Sequence, residues 1–272
     1  NFNGYIVDAY ISPHLSDFNE RIILKNKTVS SVKLIKCLNF VKKINNDKPI
    51  TFFEITTAAA FYLFSKTNAD FLILETGLGG RLDATNVIPK SLVNIITPIS
   101  FDHEEFLGKT IKKIASEKLG IIKQNSKIVI GKQKPEIKKF IKNKIRNNNF
   151  LFFGDNFKIK NTTKQSFIFN IKNKKFIFKC PKLLGIHQIE NASMAISASM
   201  FLKDSGYKIN INLINKAIQN TKWPGRLEKL KYKNKIFFID GSHNEEGARK
   251  LNSFLIKNKI KPWIIFGMLN NK

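Results

Sequence analysis

At 272 residues, the chain can hold one large core or two domains, and its 43% hydrophobic content is that of a globular protein. Two distant cysteines, Cys37 and Cys180, exclude a disulfide framework and zinc-ligand spacing; no apolar run reaches a membrane span, and the opening "NFNGYIVDAY" is not a signal peptide, so a cytoplasmic location is expected. The 47 basic against 20 acidic residues (formal net charge +27) read either as an anionic or nucleic-acid partner or as a joint rise of Lys, Asn, Ile and Phe; their spread along the whole chain favours the second.

In chain order, "YIVDAYI" reads as a strand leading into the polar loop "SPHLSDFNERI", and residues 30–44 read as a helix. Thr51 and Glu54 have the spacing of a capping box that opens the helix "ITTAAAFYLF". Strands at 71–75 and 92–97, a helix over about 110–123 and a strand at 127–131 follow, an alternation that predicts a mostly parallel α/β sheet flanked by helices. From Phe157 to Lys179 apolar and basic residues alternate with period two, as in a small antiparallel ribbon. Helices are expected over 189–204 and 211–220. The Pro-Gly turn of "TKWPGRLEKL" then marks a junction between domains at 1–222 and 223–272. Beyond it, the strands "KIFFID" and "PWIIFG" flank a helix starting near Asn244, the opening βαβ unit of a second, Rossmann-like α/β domain. The chain opens without Met and closes directly after an expected strand, so a fragment is expected.

The four histidines (His14, His103, His187 and His243) all fall in polar loops or at element boundaries, and ligands gather at strand carboxyl ends in open α/β sheets. Glu75 ends one strand and His103 follows the next, so neighbouring strands could bring the two side chains to one hard cation; the alternative is a turn cap and a loop hydrogen bond. Lys118 continues the apolar stripe of Ile111, Ile114, Ala115, Leu119 and Ile122. An ammonium there either becomes a carbamate that ligates a metal or snorkels past its apolar stem to solvent. Asp240, at a strand end before a glycine turn, could hold ribose hydroxyls, and His243 and Asn244 lie at a helix start that attracts phosphate. Arg226 reads equally as a phosphate ligand at a hinge and as a surface charge. "ETGLGGRLDATNVI", from Glu75 to Ile88, has the glycines of a phosphate loop without its Lys-Ser or Lys-Thr.

In order, "SPHL…FNERI", "TFFEITTAAAF", "ETGLGGRLDATNVI", "ITPISFDHEEFLGKTIKKIASEKLGIIK", "HQIENASMAI", "WPGRLE" and "FFIDGSHNEEGA" resemble the folylpolyglutamate synthase/dihydrofolate synthase family of the Mur-ligase superfamily. The resemblance runs from about Tyr10 to the last residues. It implies an ATP-dependent amide ligase in which ATP phosphorylates a folate or dihydropteroate carboxylate and the amino group of L-glutamate displaces phosphate, with Mg2+ as cofactor. By similarity Glu75, His103 and a carbamylated Lys118 would hold metal, with Ser12 close by. Asp83 would sit near the attacking amine, Arg81 beside it, and Pro13 and His14 would clamp the substrate. Asn191, Arg226, Asp240 and His243 would contact the nucleotide. A monomer taking small-molecule substrates is expected, with no nucleic-acid or membrane partner.

The family's G-T-x-G-K-G-S loop, just upstream of "YIVDAYISPHL" in the pattern, does not occur here, so the isolated fragment is expected to be inactive. Two other readings remain: a Mur-type ligase for another acid, and a nucleic-acid-binding protein that stacks bases on the basic–aromatic ribbon.

Overall fold

A computed structural model describes residues 2–145, 149–160, 162–163 and 165–267. Strand β1 (Val7–Tyr10) enters a loop and a 3-10 turn (Phe18–Arg21), then β2 (Ile22–Leu24) and β3 (Lys27–Thr28). Helix α1 (Ser31–Asn45) is capped by Ser30, and α2 (Phe52–Phe64) by the expected reciprocal box of Thr51 and Glu54. β4 (Phe71–Leu74) runs parallel to β1, while β2 and β3 add antiparallel strands on the other side, giving a sheet ordered β3-β2-β1-β4. Tyr10, Ile22, Leu34, Ala59 and Leu63 form the core between this sheet and its two helices.

A second sheet is wholly parallel: β5 (Val93–Ile96), β6 (Lys127–Ile130) and β7 (Phe150–Phe152), linked by α3 (Glu104–Leu107), α4 (Ile111–Leu119) and α5 (Pro135–Lys144). The helix expected over 110–123 stops earlier, with Gly120 at its C-cap. Strands β4 and β5 are not hydrogen-bonded to each other, so the parallel strands fall into two sheets, and the pairing of neighbours on which the Glu75–His103 reading rested is not formed.

The ribbon is three-stranded: β8 (Phe157–Lys160), β9 (Ser166–Ile171) and β10 (Lys174–Lys179). Alternation turns Phe157, Phe167, Phe169 and Phe178 inward, onto Met194, Ile196 and Met200 of α6 (Ile186–Asp204). These rings are buried, which removes the stacking platform that the nucleic-acid reading required. Helix α7 (Ile211–Asn220) adds Ile214 and Ile218 to the same core.

After the Pro-Gly turn, β11 (Glu228–Tyr232) and β12 (Lys235–Ile239) form an antiparallel hairpin, and α8 (Glu245–Lys257) follows. The strand expected at 262–267 does not form. Residues 262–267 pair with no strand, and Trp263 and Ile265 stand 101% and 102% exposed. An apolar run becomes a strand only against a partner. No helix among the described residues is long and apolar enough to cross a membrane.

Candidate functional site

The loop after β1 is held by its own side chains. Asp17 and Glu20 form a second capping box, and Glu20 also accepts from the backbone N–H groups of Leu15 (2.9 Å) and Ser16 (3.1 Å). These bonds, that of Leu15 first, hold its carboxyl below the ordinary range. Arg21 donates from Nε to Nδ1 of His14 at 2.8 Å and lies over the rings of Phe18 and Phe52 at 5.4 and 5.9 Å. The nitrogen of Ser12 donates to Oε2 of Glu75 at 2.7 Å, which ties this loop to the end of β4.

Glu75 extends the β1–β4 ladder by one bond, its N–H to the carbonyl of Tyr10 at 2.9 Å. The turn behind it wraps around Asp83. That carboxylate accepts from Gly77 N (3.0 Å) and Leu78 N (2.8 Å) on one oxygen, and from Thr85 N (2.9 Å) and Oγ1 (2.5 Å) on the other. The glycines serve a close approach to α4. A Cβ on Gly80 would lie 2.8 Å from the carbonyl oxygen of Glu117, and Gly79 holds φ at +66°. Arg81 fastens the turn by its N–H to the Glu117 carbonyl (2.8 Å) and by Nε to the Glu117 carboxylate (3.1 Å).

Two concavities meet at Gly77. A cleft of about 520 Å³ is lined by Ser12, Pro13, Arg21, Phe53, Asp83 and Phe106, among others. A larger groove of about 1230 Å³ runs between β4 and β5 over α6 and holds Glu75, Lys118 and Asn191. Burial pushes the Glu75 carboxyl up, against the Ser12 N–H and the charges of Arg226 and Arg21. Burial likewise pushes the Lys118 ammonium down, opposed by the charge of Asp102. The groove therefore disfavours the charged form of both groups.

His103 sits at the start of α3 in the left-handed region (φ 50°), its N–H on Oδ1 of Asp102 at 3.0 Å. After β12, Asp240 accepts from Leu227 N (2.8 Å) and Ser242 N (3.0 Å) and so braces the residues that follow Arg226 and Gly241. His243 donates from Nδ1 to the Gly241 carbonyl at 3.0 Å. Asn191 donates to Gln188, whose amide contacts His187. Burial lowers the His187 pKa, with the charge of Lys250 acting in the same direction.

The model for the Mur ligase middle domain matches residues 21–199. A Bacillus subtilis (strain 168) dihydrofolate synthase/folylpolyglutamate synthase is 36% identical over 263 residues, 91% of this chain and 60% of its own length. The chain belongs to the folylpolyglutamate synthase/dihydrofolate synthase family of Mur ligases. A solved FPGS–AMPPCP–folate complex superposes with a TM-score of 0.87 at 29% identity, over 96% of this chain and 67% of its own. Folylpolyglutamate synthase from Thermotoga maritima gives a TM-score of 0.79 at 34% identity, over 93% and 60%. The chain thus spans about 60% of the B. subtilis relative.

Against the residues expected from this family, the structure brings Ser12, Pro13 and Asp83 into the cleft, and Glu75, Lys118 and Asn191 into the groove. His14 stands behind the cleft on Arg21, and Arg81 faces Glu117. Asp240 and His243 follow β12, with His243 Nε2 standing 3.7 Å from Asp102, and the charge of Arg226 reaches Glu75. Sequence reasoning missed Arg21 and Phe53 as cleft walls and Asp102 as a bridging carboxylate. "FNERI" and "FDHEE" held the signal, a charged residue beside aromatics or beside a candidate histidine.

Proposed function

We propose that this chain supplies the central part of an ATP-dependent ligase that adds L-glutamate to the carboxylate of a folate or dihydropteroate. The reading rests on the family together with one observation: the cleft and the groove share Gly77, so a substrate carboxylate in one can meet a phosphate in the other. The carboxylate oxygen attacks the terminal phosphorus of ATP and ADP leaves. The glutamate nitrogen then attacks the acyl carbon, loses its proton, and phosphate leaves as the amide forms.

The aromatic and guanidinium walls, Phe53, Phe106 and Arg21, suit a flat, anionic substrate clamped by the Pro13–His14 loop. Asp83 shapes the turn that faces the incoming amine, with Arg81 fixing that turn to α4. Arg226, Asp240 and His243 approach the nucleotide from the second unit, residues 223–272, and Asn191 from the first, residues 1–222. Glu75, His103 and Lys118 would hold magnesium, which neutralises phosphate oxygens. Among the described residues, no three of His, Cys, Asp and Glu converge on one point. A metal site here therefore calls on Lys118 as a carbamate oxygen. In support, Glu75 and Lys118 line the same groove, and burial disposes Lys118 to lose its proton, as carbamylation requires; His103 lines neither concavity. We assign a monomeric, cytoplasmic enzyme.

The 272 residues contain no G-x-x-G-K-[ST] loop, so the test uses a version extended to the length of the curated relatives with such a loop upstream. It should release ADP only with folate or dihydropteroate, glutamate and magnesium together. An extended version that hydrolyses no ATP with all three present would end the reading.

A further inference from the structure

Asp102 and Asn244 lie 142 residues apart and are joined by a hydrogen bond from Nδ2 of Asn244 to Oδ2 of Asp102 at 3.0 Å. Both ends of the Asn244 amide are engaged. Its Oδ1 accepts from Gly247 N at 2.9 Å, the N-cap bond of α8. One side chain therefore starts the helix of the β11–β12–α8 unit and fastens that unit to the loop after β5. The same Asp102 oxygen lies 3.7 Å from Nε2 of His243. Its other oxygen takes the N–H of His103, and its charge reaches Lys118. The contact is half-buried, where a bond to a charged acceptor is stronger than one between neutral groups.

We propose that the Asp102–Asn244 pair is a latch that sets the angle of the β11–β12–α8 unit against the Mur ligase middle domain, with Asn244 as a positioning residue for Asp240 and His243. The assignment of those two residues to the nucleotide rests on the function proposed above; the latch itself does not.

The test separates capping from latching. In Asn244→Ser the hydroxyl still caps α8 but is too short to reach Asp102. Asn244→Asp caps equally well and sets two carboxylates against each other. The double exchange Asp102→Asn with Asn244→Asp rebuilds the bond with donor and acceptor reversed. Nitroxide labels at Lys139→Cys on α5 and Asn252→Cys on α8, in the whole 272-residue chain with Cys37→Ala and Cys180→Ser, report the distance between the two units. A narrow distribution is expected for the parent, a broadened one for Asn244→Ser, a broader and longer one for Asn244→Asp, and a return to narrow for the double exchange. A width for Asn244→Ser equal to the parent's, or a double exchange no narrower than Asn244→Asp alone, would overturn the latch. In the extended protein, Asn244→Ser should raise KM for ATP about tenfold, the loss of one charge-assisted bond. If that protein proves not to be a ligase while the distances still change as expected, the latch stands and the functional assignment alone falls.

Discussion

Asp83 holds Thr85 twice, by its backbone N–H at 2.9 Å and its hydroxyl at 2.5 Å, while its other oxygen holds the two residues after Thr76. An 8%-exposed carboxylate with four donors is the centre around which the glycine turn is wound. Asp83→Ala removes the centre and strands the buried Thr85 N–H and hydroxyl together with the N–H groups of Gly77 and Leu78, so we expect a loss of about 2–3 kcal/mol. Asp83→Asn keeps one accepting oxygen and should lose less. Denaturant midpoints measure both, and a change below about 0.5 kcal/mol in Asp83→Ala would contradict this account.

The glycines of the turn should differ in their tolerance of alanine. At Gly80 a Cβ meets the backbone carbonyls of Glu117 and Lys118 at 2.8 and 3.1 Å, which cannot move without shifting α4. At Gly77 its three nearest atoms all belong to the Phe53 ring, the closest at 2.4 Å. Gly80→Ala should therefore cost about 1–3 kcal/mol, whereas Gly77→Ala pushes a ring into the cleft. The second variant should lose folate affinity more than stability, as calorimetric titration of the extended protein beside a melting curve would show.

Burial raises the Glu75 carboxyl above its unfolded value, so the folded chain binds this proton more tightly than the unfolded one. The stability cost is absent below the unfolded pKa, near 4.3, and grows as pH rises through the folded pKa. Glu75→Gln keeps an acceptor for Ser12 N and removes the titration. It should be more stable than the parent at neutral pH and equal to it near pH 4, in unfolding curves at the two values. A variant less stable at neutral pH would refute the burial account.

Lys118→Ala should lower ligase turnover in the extended protein by at least about a hundredfold. Parent enzyme stripped of bicarbonate should lose activity and recover it when bicarbonate returns, while the alanine variant should respond to neither treatment. Recovery in the variant would rule out a carbamate.

What could be read from the sequence was what is local. The Thr51–Glu54 box lies within one helical turn, and the inward phenylalanines of the ribbon follow from period two along each strand. Pro135 at the start of α5 was an equally local signal that went unused. Pairing was not legible: neither β4 nor β5 states in its own residues that the other is not its neighbour. "PWIIFG" has strand composition but no strand to join. Residues quoted for the site were found by type and position, while Asp102 acquires its place only when α8 folds back onto the loop after β5. Arg21 was visible as part of "FNERI", but its stacking on Phe52 depends on a helix thirty-one residues on.

The groove between β4 and β5 has a consequence for cooperativity. On one side Tyr10, Ile22 and Leu63 close a core of their own, and on the other Ile114, Ile128 and Phe152 close another, with no ladder joining the two sheets. Each block can open without dismantling the other, so amide exchange in this chain should show two protection tiers, and anything that bridges the two strand edges should merge them into one. The groove proposed above for the reactants is also the seam along which the molecule can come apart.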